Sequence, residues 1–265
     1  MSALTFRTAL ITGASAGLGA EYARQLAAGG TNLILVARRK ERLAALAAEL
    51  VRSHGVTVEV VPADLTRDED LKRVERHIAA AETLDLLVNN AGFGGRGPFS
   101  RSAAGESLAL VDIHVTAPVR LTRAALDGMI ARRRGRIINV ASVAAFSPLS
   151  GTIYSAVKAF LVGFSRNLRI ELEGTGVRVQ ALCPGMTHTE FHDVIGMDKS
   201  VVPAFMWMTA PAVVRISLRA LRRRRVVCIP GWRNRLLCAF LRCAPTAALI
   251  EAVATLPYFR KKAGL

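Results

Sequence analysis

The chain has 265 residues, long enough for one large α/β domain with a substantial core. At 51% hydrophobic and 21% charged it is globular rather than disordered, and no apolar run reaches the roughly 18 residues needed to span a membrane. The net charge of +16 is uneven: from Arg222 to Lys262 ten basic residues stand against one acid, Glu251.

The N-terminus runs straight into a strand and lacks the charged-then-apolar layout and cleavage site of a secretory leader. RTALITG (7–13) is a short apolar run stopping at glycine, and 17–28 carries a helical pattern. NLILVAR (32–38) is apolar again, and KERLAALAAELVRS (40–53) is amphipathic. VTVEVVPAD (56–64), a polar helix over 68–81 and LDLLVNNAG (84–92) follow. A long helix near 103–131 precedes GRIINVAS (135–142), and a helix over 152–173 precedes VRVQALCPG (177–185). A helix near 211–222 precedes RVVCIPG (225–231). Seven buried-type strands alternating with helices predict an α/β fold, a Rossmann-type doubly wound seven-stranded parallel sheet in one domain, 1–231. Residues 232–265 fall outside the alternation and are expected to form a basic, apolar, helical C-terminal extension of the same domain.

The basic excess suits nucleic acid, anionic lipid or an acidic ligand. It also suits plain composition, since 30 of the 36 basic residues are arginine. The tail mixes apolar stretches with arginine, Trp232, Tyr258 and Phe259. That pattern fits the headgroup region of an anionic membrane, and equally a cover over a substrate pocket or a neighbouring subunit. Cys183, Cys228, Cys238 and Cys243 form no C-x-x-C pair and have no metal-ligand spacing with histidine. They read as reduced thiols of a cytoplasmic protein. His54, His77, His188 and His192 build no metal site either and read as surface or loop residues.

Thr12 to Gly19, TGASAGLG, lies between the first strand and the first helix. Gly13, Gly17 and Gly19 permit a tight turn and a close approach to a pyrophosphate at the positive end of that helix, with Ser15, Ala16 and Leu18 completing the loop. An acid at the end of the second strand would accept from a ribose 2′-hydroxyl. Arg38 and Arg39 stand there instead, and a guanidinium suits a 2′-phosphate, which predicts NADP(H) over NAD(H). Asp64, with Leu65 beside it, ends the third strand. Its carboxylate either accepts from the adenine amino group or caps the following helix.

TGASAGLG, NNAG (Asn89 to Gly92), the serine of VASV (Ser142), YSAVK (Tyr154 to Lys158) and PGMTHT (Pro184 to Thr189) occur in that order, each expected at a strand end. In this set the chain resembles the short-chain dehydrogenases/reductases, over about residues 5 to 231. The resemblance implies hydride transfer between a nicotinamide cofactor and a carbonyl or secondary alcohol. Tyr154 would be the general acid in reduction and the general base in oxidation. Residues four apart share a helix face, so Lys158 stays near the phenol, and its ammonium together with the positive nicotinamide of the oxidised cofactor is expected to lower the tyrosine's pKa from about 10. Ser142 would hydrogen-bond the substrate oxygen, and Lys158 would also hold the nicotinamide ribose. Asn90, Ala91 and Gly92 would line the cofactor, with Asn90 propping the central strands. Pro184, Gly185, Met186, Thr187 and Thr189 would wrap the nicotinamide and diphosphate.

Where the family usually has an asparagine, this chain has His114. That asparagine's backbone carbonyl holds a water against the lysine, so His114 either preserves, replaces or blocks a proton path. The segment after PGMTHT normally covers the substrate. Val194, Ile195, Met197, Val201, Val202, Phe205, Met206 and Trp207 make it largely apolar, and Phe93, Phe99, Phe146 and Leu149 are expected to face it. Such walls suit a bulky fatty-acyl, steroid-like or aromatic compound. Met206, Trp207 and Met208 suit a core equally. The family usually pairs through the helices around strand five, which implies a homodimer or homotetramer. No nucleic-acid partner is expected. Two function classes remain: an NADP(H)-dependent oxidoreductase, and a cofactor-binding protein of the same fold that has lost turnover and works through protein or membrane interactions. Intact Ser142, Tyr154 and Lys158 favour the first.

Overall fold

A computed structural model describes residues 5–95, 97–147, 151–194, 196–223, 225–243 and 252. The first half holds β1 (Thr8–Thr12), α1 (Gly17–Ala28), β2 (Asn32–Ala37), α2 (Lys40–His54), β3 (Val58–Pro62), α3 (Asp68–Ala80) and β4 (Leu84–Asn89). The second opens with α4 (Ala104–Val111), a π-helical turn (Asp112–Thr116), α5 (Ala117–Ala131) and β5 (Gly135–Val140). Next come α6 (Thr152–Glu171), β6 (Val177–Leu182), β7 (Thr187–His188), α7 (Phe191–Val194), β8 (Met208–Thr209), α8 (Ala210–Ala220), β9 (Val227–Cys228) and α9 (Trp232–Leu241).

Seven strands form one parallel sheet in the order β3-β2-β1-β4-β5-β6-β9. Both faces are covered, so its strands are apolar on both sides. Ala9 and Ile11 of β1 enter one layer with Leu26, Leu43 and Val213 of α1, α2 and α8. Leu10 enters the other with Val74, Leu121 and Leu168 of α3, α5 and α6. That alternation is the two-residue period of a strand. The strand order reverses between β1 and β4, which opens a crevice at their carboxyl ends. Thr12 stitches that crevice: its hydroxyl donates to Val88 O (3.2 Å) and accepts from the N–H groups of Asn90 and Ala91 (2.9 Å each).

Three expectations change. The helix expected near 103–131 carries the π-helical turn, which places Ile113 and His114 inside the protein. The last strand shrinks to Val227–Cys228, because only Ala181 and Leu182 of β6 lie opposite it. The segment after PGMTHT holds a separate two-stranded pair, β7 with β8. Of the expected C-terminal extension, α9 is helical. Residues 244–251 and 253–265, which include Tyr258 and Phe259, lie outside the described residues, as do Leu149 and Ile195. No described helix is long and apolar enough to cross a membrane.

Candidate active site

The crevice begins at the glycine loop. Gly13 has φ +66°, and a Cβ there would sit 2.8 Å from Ala91 Cα. A Cβ on Gly19 would collide with the Gly13 carbonyl. The backbone therefore passes where no side chain fits. Ala16 opens α1 in an extended conformation, and no side chain caps the helix. Its first N–H groups thus have no side-chain acceptor and suit a pyrophosphate. Thr189 closes on this loop from the far wall, its Cβ and Cγ2 each 3.3 Å from where a Cβ on Gly17 would stand. A dinucleotide fits this cradle. Leu65 is buried in the protein's core, and Leu18 is partly buried against it.

At the β2 corner, Arg38 extends into solvent with its Nη1 3.8 Å from Asp64. Arg39 donates from Nε to Ser15 Oγ (3.1 Å) and from Nη1 to Glu190 Oε2 (3.1 Å). Arg42 Nη1 donates to both Glu190 oxygens, at 2.8 and 3.0 Å. Asp64 accepts from the backbone N–H and hydroxyl of Thr66. Burial pushes its carboxyl up, but those hydrogen bonds and the charges of Arg38 and Arg67 hold it below the usual range. It closes a turn before α3 rather than capping the helix, whose cap position is Arg67.

Asn90 donates to the carbonyls of Thr12 (2.8 Å) and Gly13 (3.3 Å), tying β4 to β1. Behind it Asn89 donates to Thr122 and Asn139, and Asn139 to Ser165, a buried polar chain through α5, β4, β5 and α6. Across the crevice Pro184 O accepts from Val143 N (3.0 Å). Thr187 donates to Gly185 O (2.9 Å), and Met186 O accepts from Met208 N (2.9 Å). Asn234 of α9 fills the space a Cβ on Gly185 would need.

Ser142, Tyr154, Lys158 and His114 converge at the inner end. Lys158 is 4% exposed, donates to Val140 O at 2.8 Å and stands 5.5 Å from the centre of the Tyr154 ring. Burial lowers the lysine to about 7, opposed weakly by Cys183. Tyr154 bonds to Ser142, whose Oγ also accepts from Ala144 N (3.1 Å). The phenol is pushed up to about 12 by burial, and the Ser142 bond offsets part of that. In the protein without cofactor the ammonium therefore does not lower the phenol: desolvation of the phenolate outweighs any help from a neighbour that is itself desolvated.

His114 is 2% exposed, and its Nε2 lies 2.8 Å from Phe93 O. A carbonyl only accepts, so Nε2 carries the proton and Nδ1 is bare. Burial, then the Lys158 charge, keep the imidazole well below its ordinary pKa and neutral. Its ring meets Tyr154 edge-on at 5.8 Å and blocks any side chain on Gly92.

The cover is apolar but only partly inward. Phe191 lies 5.9 Å from Tyr154. Trp207 is neither free nor fully buried: it stacks on His188 (4.8 Å), meets His192 edge-on (4.9 Å) and donates to Val202 O (3.2 Å). Val194, Phe205 and Phe99 are more than half exposed. Phe146 is partly buried and carries Arg242 over its ring at 5.6 Å. Glu190, Arg42, Phe191 and Asn234 were not foreseen. Only Arg42 left a signal, one helical turn beyond Arg39. Among the described residues no three His, Cys, Asp or Glu side chains cluster for a metal, and no disulfide forms.

Residues 7–200 match the profile of the short chain dehydrogenase family. An uncharacterized oxidoreductase of Myxococcus xanthus is 42% identical over 192 residues, covering 72% of this chain and 76% of that one. Among solved structures, a short-chain dehydrogenase from Sphingobium yanoikuyae in complex with NADPH is 37% identical, with a TM-score of 0.82 and 96% of each chain covered. The bulky-bulky ketone specific alcohol dehydrogenase from Comamonas testosteroni is 34% identical, with a TM-score of 0.79 and the same coverage. The chain belongs to the short-chain dehydrogenase/reductase family of oxidoreductases.

Proposed function

We propose that this protein is an NADP(H)-dependent oxidoreductase that interconverts a carbonyl and a secondary alcohol on a bulky apolar substrate, with Tyr154 as general acid/base. The observation that carries the reading is the convergence of Tyr154, Ser142 and Lys158 beside a cradle shaped for a dinucleotide. A bound nicotinamide supplies or accepts the hydride. Tyr154 gives its proton to the substrate oxygen during reduction and takes one back during oxidation. A phenol held near 12 is a protonated acid at neutral pH, which suits reduction. Ser142 donates to the same oxygen as charge develops there. Lys158 holds the ribose beside the phenol, and Gly13, Gly17, Gly19, Asn90 and Thr189 hold the rest of the dinucleotide.

Arg38 and Arg39 support NADP(H), as does the NADPH bound in the Sphingobium relative. Phe191 beside Tyr154 supports an apolar substrate, as does the Comamonas relative's specificity for bulky ketones. A fatty-acyl, steroid-like or aromatic ketone fits this chemistry. Exposed Leu108, Phe160 and Ile170 on α4 and α6 support a homodimer or homotetramer paired through these helices. Buried thiols at Cys183, Cys228 and Cys238 support a cytoplasmic setting. Peripheral contact with an anionic membrane is supported by exposed Trp232, Leu236 and Phe240 on α9, the helix that carries Arg233 and Arg235. NADPH and NADH consumption with a panel of bulky apolar ketones tests the main reading. Turnover with NADPH supports it, and no turnover with either cofactor across the panel sinks it.

A further inference from the structure

Glu190 has no part in the chemistry above, yet it joins the two walls of the cofactor crevice. It follows Thr189, which packs on the glycine loop, and it grips two guanidinium groups from the opposite wall. Arg39 meanwhile bonds to Ser15 inside the glycine loop. A continuous polar chain therefore runs Ser15–Arg39–Glu190–Arg42, its bonded pairs separated by as many as 151 positions in sequence. Arg38 takes no part and leans toward Asp64.

We infer that Glu190 is an internal stand-in for the cofactor's 2′-phosphate: a specificity-determining carboxylate that occupies Arg39 and must release it when NADP(H) binds. The inference rests on the NADP(H) reading, in which Arg39 and Ser15 border the 2′-position. A phosphate monoester carries more charge than a carboxylate and three acceptor oxygens, so it displaces Glu190 from Arg39. The two anions repel and do not share that guanidinium on equal terms. Arg42 makes release inexpensive. It holds both Glu190 oxygens by itself, so the carboxylate keeps a charged partner after the exchange. Glu190 thus lowers affinity for NADP(H), leaves NAD(H) untouched, and makes the segment after β7 responsive to the phosphate. All three side chains are close to half exposed (44%, 52% and 51% for Arg39, Arg42 and Glu190). The effect is therefore about two- to fivefold in affinity, the range of exposed ion pairs.

Calorimetric titration of the cofactor-free full chain with NADPH, NADH, adenosine 2′-monophosphate and adenosine 5′-monophosphate tests this. Glu190→Gln is expected to tighten NADPH and the 2′-monophosphate about two- to fivefold, with NADH and the 5′-monophosphate unchanged. Arg42→Gln leaves Glu190 on Arg39 alone and should weaken NADPH. The double variant should regain the tight binding of Glu190→Gln. Unchanged or weaker NADPH binding in Glu190→Gln overturns the inference, and so does a double variant as weak as Arg42→Gln, which would make Arg42 a direct phosphate ligand. Equal affinities for NADPH and NADH in the unmodified protein would instead remove the cofactor reading beneath it.

Discussion

The two ends of the cofactor crevice use charge in opposite ways. At the adenosine end, Arg38, Arg39 and Arg42 are 68%, 44% and 52% exposed, and Glu190 and Asp64 serve as their anions. At the catalytic end, Lys158 and His114 are at most 4% exposed, and each is held by one main-chain carbonyl. Two unit charges 4 Å apart interact by about 1 kcal/mol in water and about 4 kcal/mol at an effective dielectric of 20. The same residue chemistry is therefore adjustable at one end and severe at the other. The arginine end can exchange partners at small cost. At the lysine end, burial moves a cation to about 7 against Cys183 and a phenol to about 12 against the Ser142 bond.

The sharpest way to break the comparison is at the phenol. Tyr154→Phe removes one oxygen and leaves the crevice intact. Turnover should fall by about 10²–10⁴, the usual range for a positioned proton donor, while NADPH affinity stays within about twofold. Turnover above a tenth of the original would put the proton source elsewhere. Equal losses in turnover and NADPH binding would mean that the two ends are not separable.

Lys158 tests the severity of burial through stability. Its pKa is about 7 in the folded protein and about 10.4 in a free chain. Between those values the unfolded state binds more protons, so stability rises with pH across that window. The cost of the buried ammonium is complete below about pH 7 and vanishes near pH 10. Replacement by methionine removes it. Lys158→Met should therefore be more stable than the original cofactor-free protein at pH 6–7, by a few kcal/mol at most, because Val140 O loses its donor. The advantage should shrink steadily toward pH 10 while turnover is lost. Thermal midpoints at several pH values check this, and a gain that grows with pH would contradict it.

Sequence reading reached the frame, and the side chains that converge at the inner end of the crevice, because both rest on local patterns. Apolar runs ending at glycine mark the strands, and an i to i+4 spacing places Lys158 by Tyr154. What it missed depends on distant partners or on main chain. No side-chain pattern announces a π-helical turn at Asp112–Thr116. RVVCIPG looks equally strand-like whether seven residues pair or two. Apolar composition described the cover but not its direction, so Phe191 faces Tyr154 while Phe205 faces solvent. Glu190 finds its arginines about 150 positions away. The i to i+4 spacing shows the charge pair but not the burial of both members, which raises the phenol in the protein without cofactor.

Arg38 tests the adjustable end. Arg38→Asp places a carboxylate where the 2′-phosphate would stand and leaves a ribose hydroxyl an acceptor. NADPH should weaken and NADH tighten enough to invert the preference, each change about tenfold or less because the position is so exposed. Titration of both cofactors measures it. Unchanged NADPH affinity would assign the phosphate to Arg39 alone.

The smallest effect is expected at His114, and there the two ends are compared most directly, because a titratable ring sits within 6 Å of the phenol. An exposed imidazole would gain or lose its charge near pH 6.5 and mark the rate there. His114 is held below that value first by burial and then by the Lys158 charge, against a weaker pull from the Phe93 carbonyl. The sign follows: charging the ring is opposed across the neutral range, so no inflection near pH 6–7 belongs to it. Its fixed Nε2–H also directs one nitrogen away from the relay and onto main chain. The pH–rate profiles of the original protein and of His114→Asn should therefore superimpose between pH 6 and 8, with rates within about threefold. The substitution should show instead as a loss of about 1–2 kcal/mol in stability, from the vacated ring volume and a lengthened or lost bond to Phe93 O. An inflection near pH 6.5 that disappears in His114→Asn would restore the histidine to the proton path and show that burial at this end is less severe than the geometry implies.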